Sequence, residues 1–181
     1  MPKLGMQPIR RQALVNAAIA QVGVHGMDVT VAQIAKQAGV STALAHHYFA
    51  GKADMFDHAM RHILREYGAA VRRELAGGGD RVQAIVAASF APENFRSDIV
   101  AAWLTFYVQA HKSDTAARLL RIYQGRTRSN LRLGLRERGH PDPAGMAETL
   151  AALIDGVYLR AALSGRADPD AAIAQVMEVM R

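Results

Sequence analysis

The sequence predicts an all-α fold of about nine helices, and three observations carry that prediction. Half of the 181 residues are apolar and only 6% are aromatic, with alanine and leucine in place of the β-branched runs that strands prefer. Apolar positions recur at three- and four-residue spacing, the period of one buried helix face. Gly, Pro and Ser-Asp clusters cut the chain into helix-length segments, with no repeat of fixed period and no low-complexity linker.

The elements follow in order. A first helix starts near Pro8, a good first-turn residue, and buries Leu14, Val15, Ala18, Ile19 and Val22 before ending between Gly23 and Gly26. Thr30 opens a second, since Thr30-Val31-Ala32-Gln33 has the pattern of a capping box. That helix stops at Gly39, where a left-handed C-cap costs glycine little, and Ser41 caps a short third helix through Tyr48. The fourth follows Gly51-Lys52, carries the stripe Phe56, Met60, Ile63, Tyr67, and breaks at Gly77-Gly78-Gly79. Further helices are expected over 81–90, 96–112, 115–138, 143–164 and 169–180, separated by Pro92, Ser113-Asp114, Gly139 to Pro143 and Gly165 to Pro169.

Composition bounds the chemistry. The chain has no cysteine, which removes disulfides, thiol catalysis and cysteine-type zinc sites. Its formal charge of +6 suits a polyanionic partner. The opening residues lack the apolar core of a signal peptide, and no run approaches the roughly 20 apolar residues that span a bilayer. The expectation is a cytoplasmic protein with no membrane partner.

Residues 30–52 are the most informative. Two short helices meet at Ala38-Gly39-Val40-Ser41, with the small Ala35 one turn before Gly39, so that the third helix can cross the second closely as in a helix-turn-helix. Val40 is expected to plug the turn, and Leu44 and Tyr48 to bury against the first two helices. The opposite face then carries Thr42, Ala43 and His46, groups that fit thymine methyls and base edges in a major groove. Lys52, at the start of the fourth helix, suits a phosphate. Up to Lys52 the bases are Lys3, Arg10, Arg11, Lys36 and Lys52 against the single acid Asp28. A glycine corner alone would prove little; cap, small residue, glycine, second cap, aromatic pair and lysine together are specific.

The run Thr30-Val31-Ala32-Gln33-Ile34-Ala35-Lys36-Gln37-Ala38-Gly39-Val40-Ser41-Thr42, with Tyr48-Phe49, Lys52 and Met55-Phe56, resembles the DNA-binding domain of TetR-family regulators. The resemblance implies a helix-turn-helix domain over 1–55 and an effector-binding and dimerisation domain over 56–181, a homodimer on double-stranded operator DNA, and no enzymatic activity or cofactor. It places DNA contacts among Thr30, Ser41, Thr42, Ala43, His46, His47, Tyr48 and Lys52. The opening Met1 to Arg11, the runs Arg81 to Val86, Ala102 to Phe106 and Ser129 to Leu131, and above all Ala152 to Gly165, are similar to the BetI-type branch, choline-responsive repressors of glycine-betaine synthesis genes. Residues 43–46 depart from that branch, so its operator sequence does not carry over.

Other residues have competing readings. Asp54, His58 and His62 share a helix face; a solvated face is preferred to a metal edge, because structural zinc wants four ligands. Arg118, Arg121, Arg126, Arg128, Arg132, Arg136 and Arg138 are read as a solvated face pairing with neighbouring acids rather than a second nucleic-acid surface. Trp103, Phe106 and Tyr107, with Phe90 and Tyr158, are either core or a cage for a cation. Asp155, in an apolar run, needs a partner, which an arginine, a helix terminus or a cationic effector would supply. The BetI-type resemblance implies choline or a close quaternary ammonium for this group, with Trp103 as the main face. It also puts dimerisation on the last two helices, through Leu150, Leu153, Ile154, Val157, Ala161 and Ala162. No Gly-rich phosphate loop, Gly-x-Ser-x-Gly or acid/base pair supports an enzyme. An RNA-binding or adaptor protein is the third class.

Overall fold

The structure, a computed structural model, describes residues 6–180; Lys3, the similarity over the first five residues and the leader reading lie outside them. Among the described residues the chain forms α1 (Met6–His25), α2 (Val31–Gln37), α3 (Thr42–Tyr48), α4 (Lys52–Ala76), α5 (Arg81–Ser89), α6 (Ser97–Ala110), α7 (Asp114–Glu137), α8 (Pro143–Ser164) and α9 (Pro169–Met177), with 3₁₀ turns at Gly26–Asp28 and Glu178–Met180 and no strand. The predicted boundaries differ from these by one or two residues at most ends, because the caps that end each helix are local. Asp80, Ser113, Asp142 and Asp168 each accept a backbone N–H from the first turn of α5, α7, α8 and α9. The 3₁₀ turn after α1 and the closing one at Glu178–Met180 carried no such signal.

The predicted stripe of α1 is buried in full: Leu14, Val15, Ala18, Ile19 and Val22. It packs on α2, α4 and α6. α4 runs from the helix-turn-helix into the second bundle, burying Phe56, Met60 and Ile63. There α5, α6, α7 and α8 complete the packing and α9 lies against α5 and α8. Gly134 on α7 permits a close crossing, since a Cβ there would stand 3.0 Å from the Val82 backbone nitrogen of α5.

The last helices correct one expectation. Leu150, Ile154, Val157 and Ala161 are buried within the chain and fill the protomer's own core, while Leu153 and Ala162 are only half-buried. The side turned to solvent carries Gly145, Thr149, Ala152, half-buried Gly156, Leu159 and Leu163. These recur at alternating four- and three-residue spacing, and the sequence reading assigned the neighbouring stripe.

Candidate functional site

The helix-turn-helix is built from reciprocal caps. Thr30 Oγ1 accepts the Gln33 backbone N–H at 3.2 Å, and Gln33 Oε1 accepts the Thr30 N–H at 2.8 Å. Gly39 takes φ 67°, a left-handed conformation that lets Val40 N–H reach Ala35 O at 3.0 Å. Ser41 Oγ then accepts Leu44 N–H at 3.2 Å to start α3. Val40 packs partly buried against the core at the turn. The buried side of α3 is one position off the expectation: Ala45 and the C-cap Phe49 are the fully buried anchors, while Leu44 and Tyr48 are half-buried. Small Ala35 of α2 and Ala45 of α3 are both fully buried, and the larger Leu44 and Tyr48 stay half-buried.

Thr42, Ala43, His46 and His47 stand exposed on the outer side of α3, with Thr30 and Ser41 exposed at the two caps. Tyr48, at the end of α3, packs edge-on against His47 at 5.4 Å. Lys52 is half-buried, and its ammonium donates to Met27 O in the turn after α1, tying the start of α4 to that turn.

The Asp54, His58 and His62 face binds α1 to α4. Arg11 donates to His58 Nε2 at 2.7 Å, His58 Nδ1 lies 2.9 Å from Asp54 O, and Gln12 meets His62 at 3.3 Å. Of the arginines near α7, Arg128 pairs with Glu148 at 3.3 Å and Arg138 with Asp80. Arg118, Arg121, Arg126, Arg132 and Arg136 are exposed and form no ion pair among the described residues.

The second cluster lies inside the C-terminal bundle. Trp103 on α6 has its ring centroid 5.6 Å from Phe106, 5.8 Å from Tyr107 and 6.3 Å from Tyr158 of α8. Phe90 stands behind Tyr158 at 5.8 Å, backing the cluster from within the core. Tyr107 donates to Asp155 Oδ1 at 2.8 Å, so the carboxylate's protein partner is a phenol, neither an arginine nor a helix terminus. Burial pushes the Asp155 carboxyl up, and the Tyr107 bond only partly offsets it. Burial, reinforced by Asp155, raises the Tyr107 hydroxyl strongly. Tyr158 donates to Ser89 O at 2.5 Å and Asn94 O at 3.2 Å, which fixes its ring against α5.

Sequence reasoning missed Tyr123 and Phe95, and placed Tyr67 on the apolar stripe of α4 without joining it to this cluster. Tyr123 of α7 is the ring nearest Trp103, at 4.7 Å, and meets Tyr67 of α4 at 5.4 Å; Phe95 packs on Tyr158 at 5.0 Å. Tyr123 was legible as a buried α7 position in register with Ala116, Thr127 and Leu131, but the arginines between them drew the reading to the outer face.

Residues 78–181 match the family model of the BetI-type transcriptional repressor C-terminal domain, and residues 14–59 that of the bacterial regulatory proteins of the tetR family. The chain is 50% identical over 180 residues to the HTH-type transcriptional regulator BetI of Brucella suis biovar 1, covering 96% of this chain and 90% of that protein. It is 46% identical to the BetI regulator of Agrobacterium fabrum, covering 90% and 82%. Among solved structures, a putative transcriptional regulator from Saccharomonospora viridis in complex with choline shares the fold with a TM-score of 0.83 at 21% identity, over 95% of each chain.

Proposed function

The chain belongs to the TetR family of bacterial regulatory proteins, with a BetI-type C-terminal domain, and from that premise we propose that it is a homodimeric repressor released from its operator by choline or a related quaternary ammonium. It is a DNA-binding transcriptional regulator and not an enzyme. In this reading residues 1–55 dock on DNA, residues 56–181 bind effector and partner, and the regulated genes serve glycine-betaine synthesis.

The outer face of α3 carries the DNA reading: Thr42, Ala43, His46 and His47 project from a helix capped at one end by Ser41 and anchored by Ala45 and Phe49. Methyls and imidazoles of this size suit base edges in the major groove. Tyr48 and Lys52 flank them toward phosphate, Lys52 keeping two N–H donors beyond the one given to Met27. Thr30 and Ser41 contribute by setting the angle at which α2 and α3 are presented.

A quaternary ammonium has no N–H, so aromatic faces hold it, at roughly 0.5–2 kcal/mol each. Trp103, Tyr107 and Tyr158 supply such faces around Asp155, with Phe90 and Phe106 as backing. Phe106 also meets Phe56, at 6.3 Å, near the start of α4. A cation parting the rings around Trp103 therefore moves α4 against α1, and the two reading heads of a dimer leave their operator spacing. The outer stripe of α8, with small Gly145, Ala152 and Gly156 followed by Leu159 and Leu163, supports the dimer seam.

The test is fluorescence anisotropy on DNA from upstream of the gene, with and without choline. Binding reversed by choline, weakly by ethanolamine, is expected. Thr42→Ala should alter preference among sites, and Trp103→Ala should keep DNA binding but lose release. Operator affinity and Trp103 emission unmoved by tens of millimolar choline, well above weak-ligand affinities of about 1 mM, would sink the effector assignment.

A further inference from the structure

The outer side of α7 carries Arg118, Arg121, Arg128, Arg132 and Arg136, all exposed. They recur three or four residues apart, with the small, open Gly125 filling the one gap, so they share a single strip of the helix. From Arg118 to Arg136 the strip runs about 27 Å at 1.5 Å per residue. It contains no acid: of the two acids of α7, Asp114 stands in the first turn and Glu137 pairs with Arg81. The pairing with neighbouring acids that the sequence suggests occurs on the strip at Arg128, with Glu148. Arg118, Arg121, Arg132 and Arg136 form no ion pair among the described residues. Midway, Gly125, Arg128, Ser129 and Arg132 make one side of a groove of about 310 Å³ whose other side is α8. The strip leads away from the reading head. Tyr123, between Arg121 and Arg128, meets Tyr67, which lies about 22 Å along α4 from Lys52, and Gly134 packs on Arg81 and Val82, beyond the far end of α4.

We propose that this strip is a second DNA surface: it holds the phosphate backbone of a second duplex segment, whatever its sequence, so that a dimer seated on its operator bridges to other DNA. The inference rests on the reading of α3 as the operator-docking helix. Every charge on the strip is a guanidinium, whose planar fork meets phosphate oxygens two at a time and is more weakly hydrated than an ammonium. A strip of about 27 Å matches about eight base pairs of duplex at 3.4 Å each. The sides of Gly125 and Ser129 leave room for a backbone to settle between Arg121, Arg128 and Arg132. A bilayer is the poorer fit, because the apolar face of α7, with Ala116, Tyr123, Leu131 and Leu135, is buried in the core, and the outer side offers chiefly charge.

The experiment seats the full-length protein on a donor-labelled duplex from upstream of the gene and adds an unrelated duplex carrying an acceptor dye, at about 50 mM salt, where backbone contacts count most. Energy transfer between the duplexes reports bridging. The wild-type protein should bridge, and transfer should fall as salt rises. Arg118→Gln, Arg121→Gln, Arg132→Gln and Arg136→Gln combined should abolish transfer while keeping the upstream duplex bound and the melting temperature unchanged, because all four side chains are exposed. Thr42→Ala with Lys52→Ala should weaken the upstream duplex, yet the unrelated duplex titrated alone should stay bound, with a salt slope that the four arginine substitutions lower by about three to four units; this arm stands apart from the operator reading. Binding of the upstream duplex without transfer, or bridging by the quadruple variant equal to wild type, would overturn the proposal and leave the role of α3 intact. Phosphatidylglycerol vesicles or polyglutamate bound more tightly than the unrelated duplex, and released by the same four substitutions, would give the strip to another polyanion and overturn it as well.

Discussion

Asp155 shows what one residue costs and supplies. Its carboxylate sits among aromatic rings with a phenol as its protein donor, and burial raises its pKa above that of an exposed aspartate. A raised carboxyl disfavours the charged folded state, so its penalty appears as pH rises past the unfolded value of about 3.9. A quaternary ammonium beside it reverses that penalty. Choline should therefore bind more weakly as pH falls into the range where Asp155 protonates, and Tyr107→Phe, removing the opposing bond, should move that loss to higher pH; a choline affinity independent of pH would remove Asp155 from the site. Asp155→Asn should raise stability at neutral pH by about 1 kcal/mol, as relief of functional strain commonly does, while abolishing the choline response. Asp80 is the opposite case. It caps α5 through Gln83 N–H at 2.7 Å and pairs with Arg138, the C-cap of α7, and the Arg138 bond leads the factors that lower its pKa. Its stabilisation is present above the unfolded carboxylate pKa and is lost as pH falls through the lower folded value. Asp80→Ala should cost about 1–2 kcal/mol, the range of a lost N-cap, in a denaturant melt at pH 7, and much less at a pH below both values.

At the scale of the element, buried and exposed stripes on α8 lie one position apart, and the exposed one is the proposed dimer seam. Val157 is 7% exposed and faces inward, whereas Leu163 is 74% exposed on the outer stripe. Leu163→Arg should give a folded monomer near 19.6 kDa by light scattering and lose operator binding, because a single reading head contacts too few base pairs. Val157→Arg should instead lower the melting temperature sharply, since it buries an unpaired charge. A dimer that tolerates Leu163→Arg would move the seam off this face. The shift on α3 has a similar cause. Periodicity marks which residues share a side, but the packing of α3 on its neighbours decides that Ala45, and not Leu44, is fully buried.

Across the whole molecule, α1 and α6 come close at a glycine. A Cβ on Gly23 of α1 would stand 3.0 Å from Asp98 O at the start of α6, so glycine there allows the two helices their close approach. Gly23→Val should push them apart, cost about 1–3 kcal/mol as overpacked substitutions do, and weaken the effect of choline on DNA binding more than choline binding itself. An unchanged melt together with unchanged release would show that this contact carries no coupling. The Trp103, Phe106 and Phe56 rings form the second connection, from the aromatic cluster to the first turns of α4.

The sequence by itself determined what is written in short-range chemistry: helix limits through caps such as Thr30, Ser41 and Asp80, the glycine turn at Gly39, and the exposed side of α3. These depend on residues within about four positions, where hydrogen bonds and glycine's conformational freedom act. It also marked Trp103, Tyr107, Asp155 and Tyr158 as requiring an explanation, since aromatic rings and a carboxylate in an apolar run must find partners. Only the tertiary structure decided which partners. Tyr107 rather than an arginine meets Asp155, Tyr123 arrives from a helix whose arginines drew attention to its outer face, and α8 turns Leu150 and Val157 inward. A helix stripe records that a face is buried without recording what buries it, and that choice is made by the packing of helices distant in the chain.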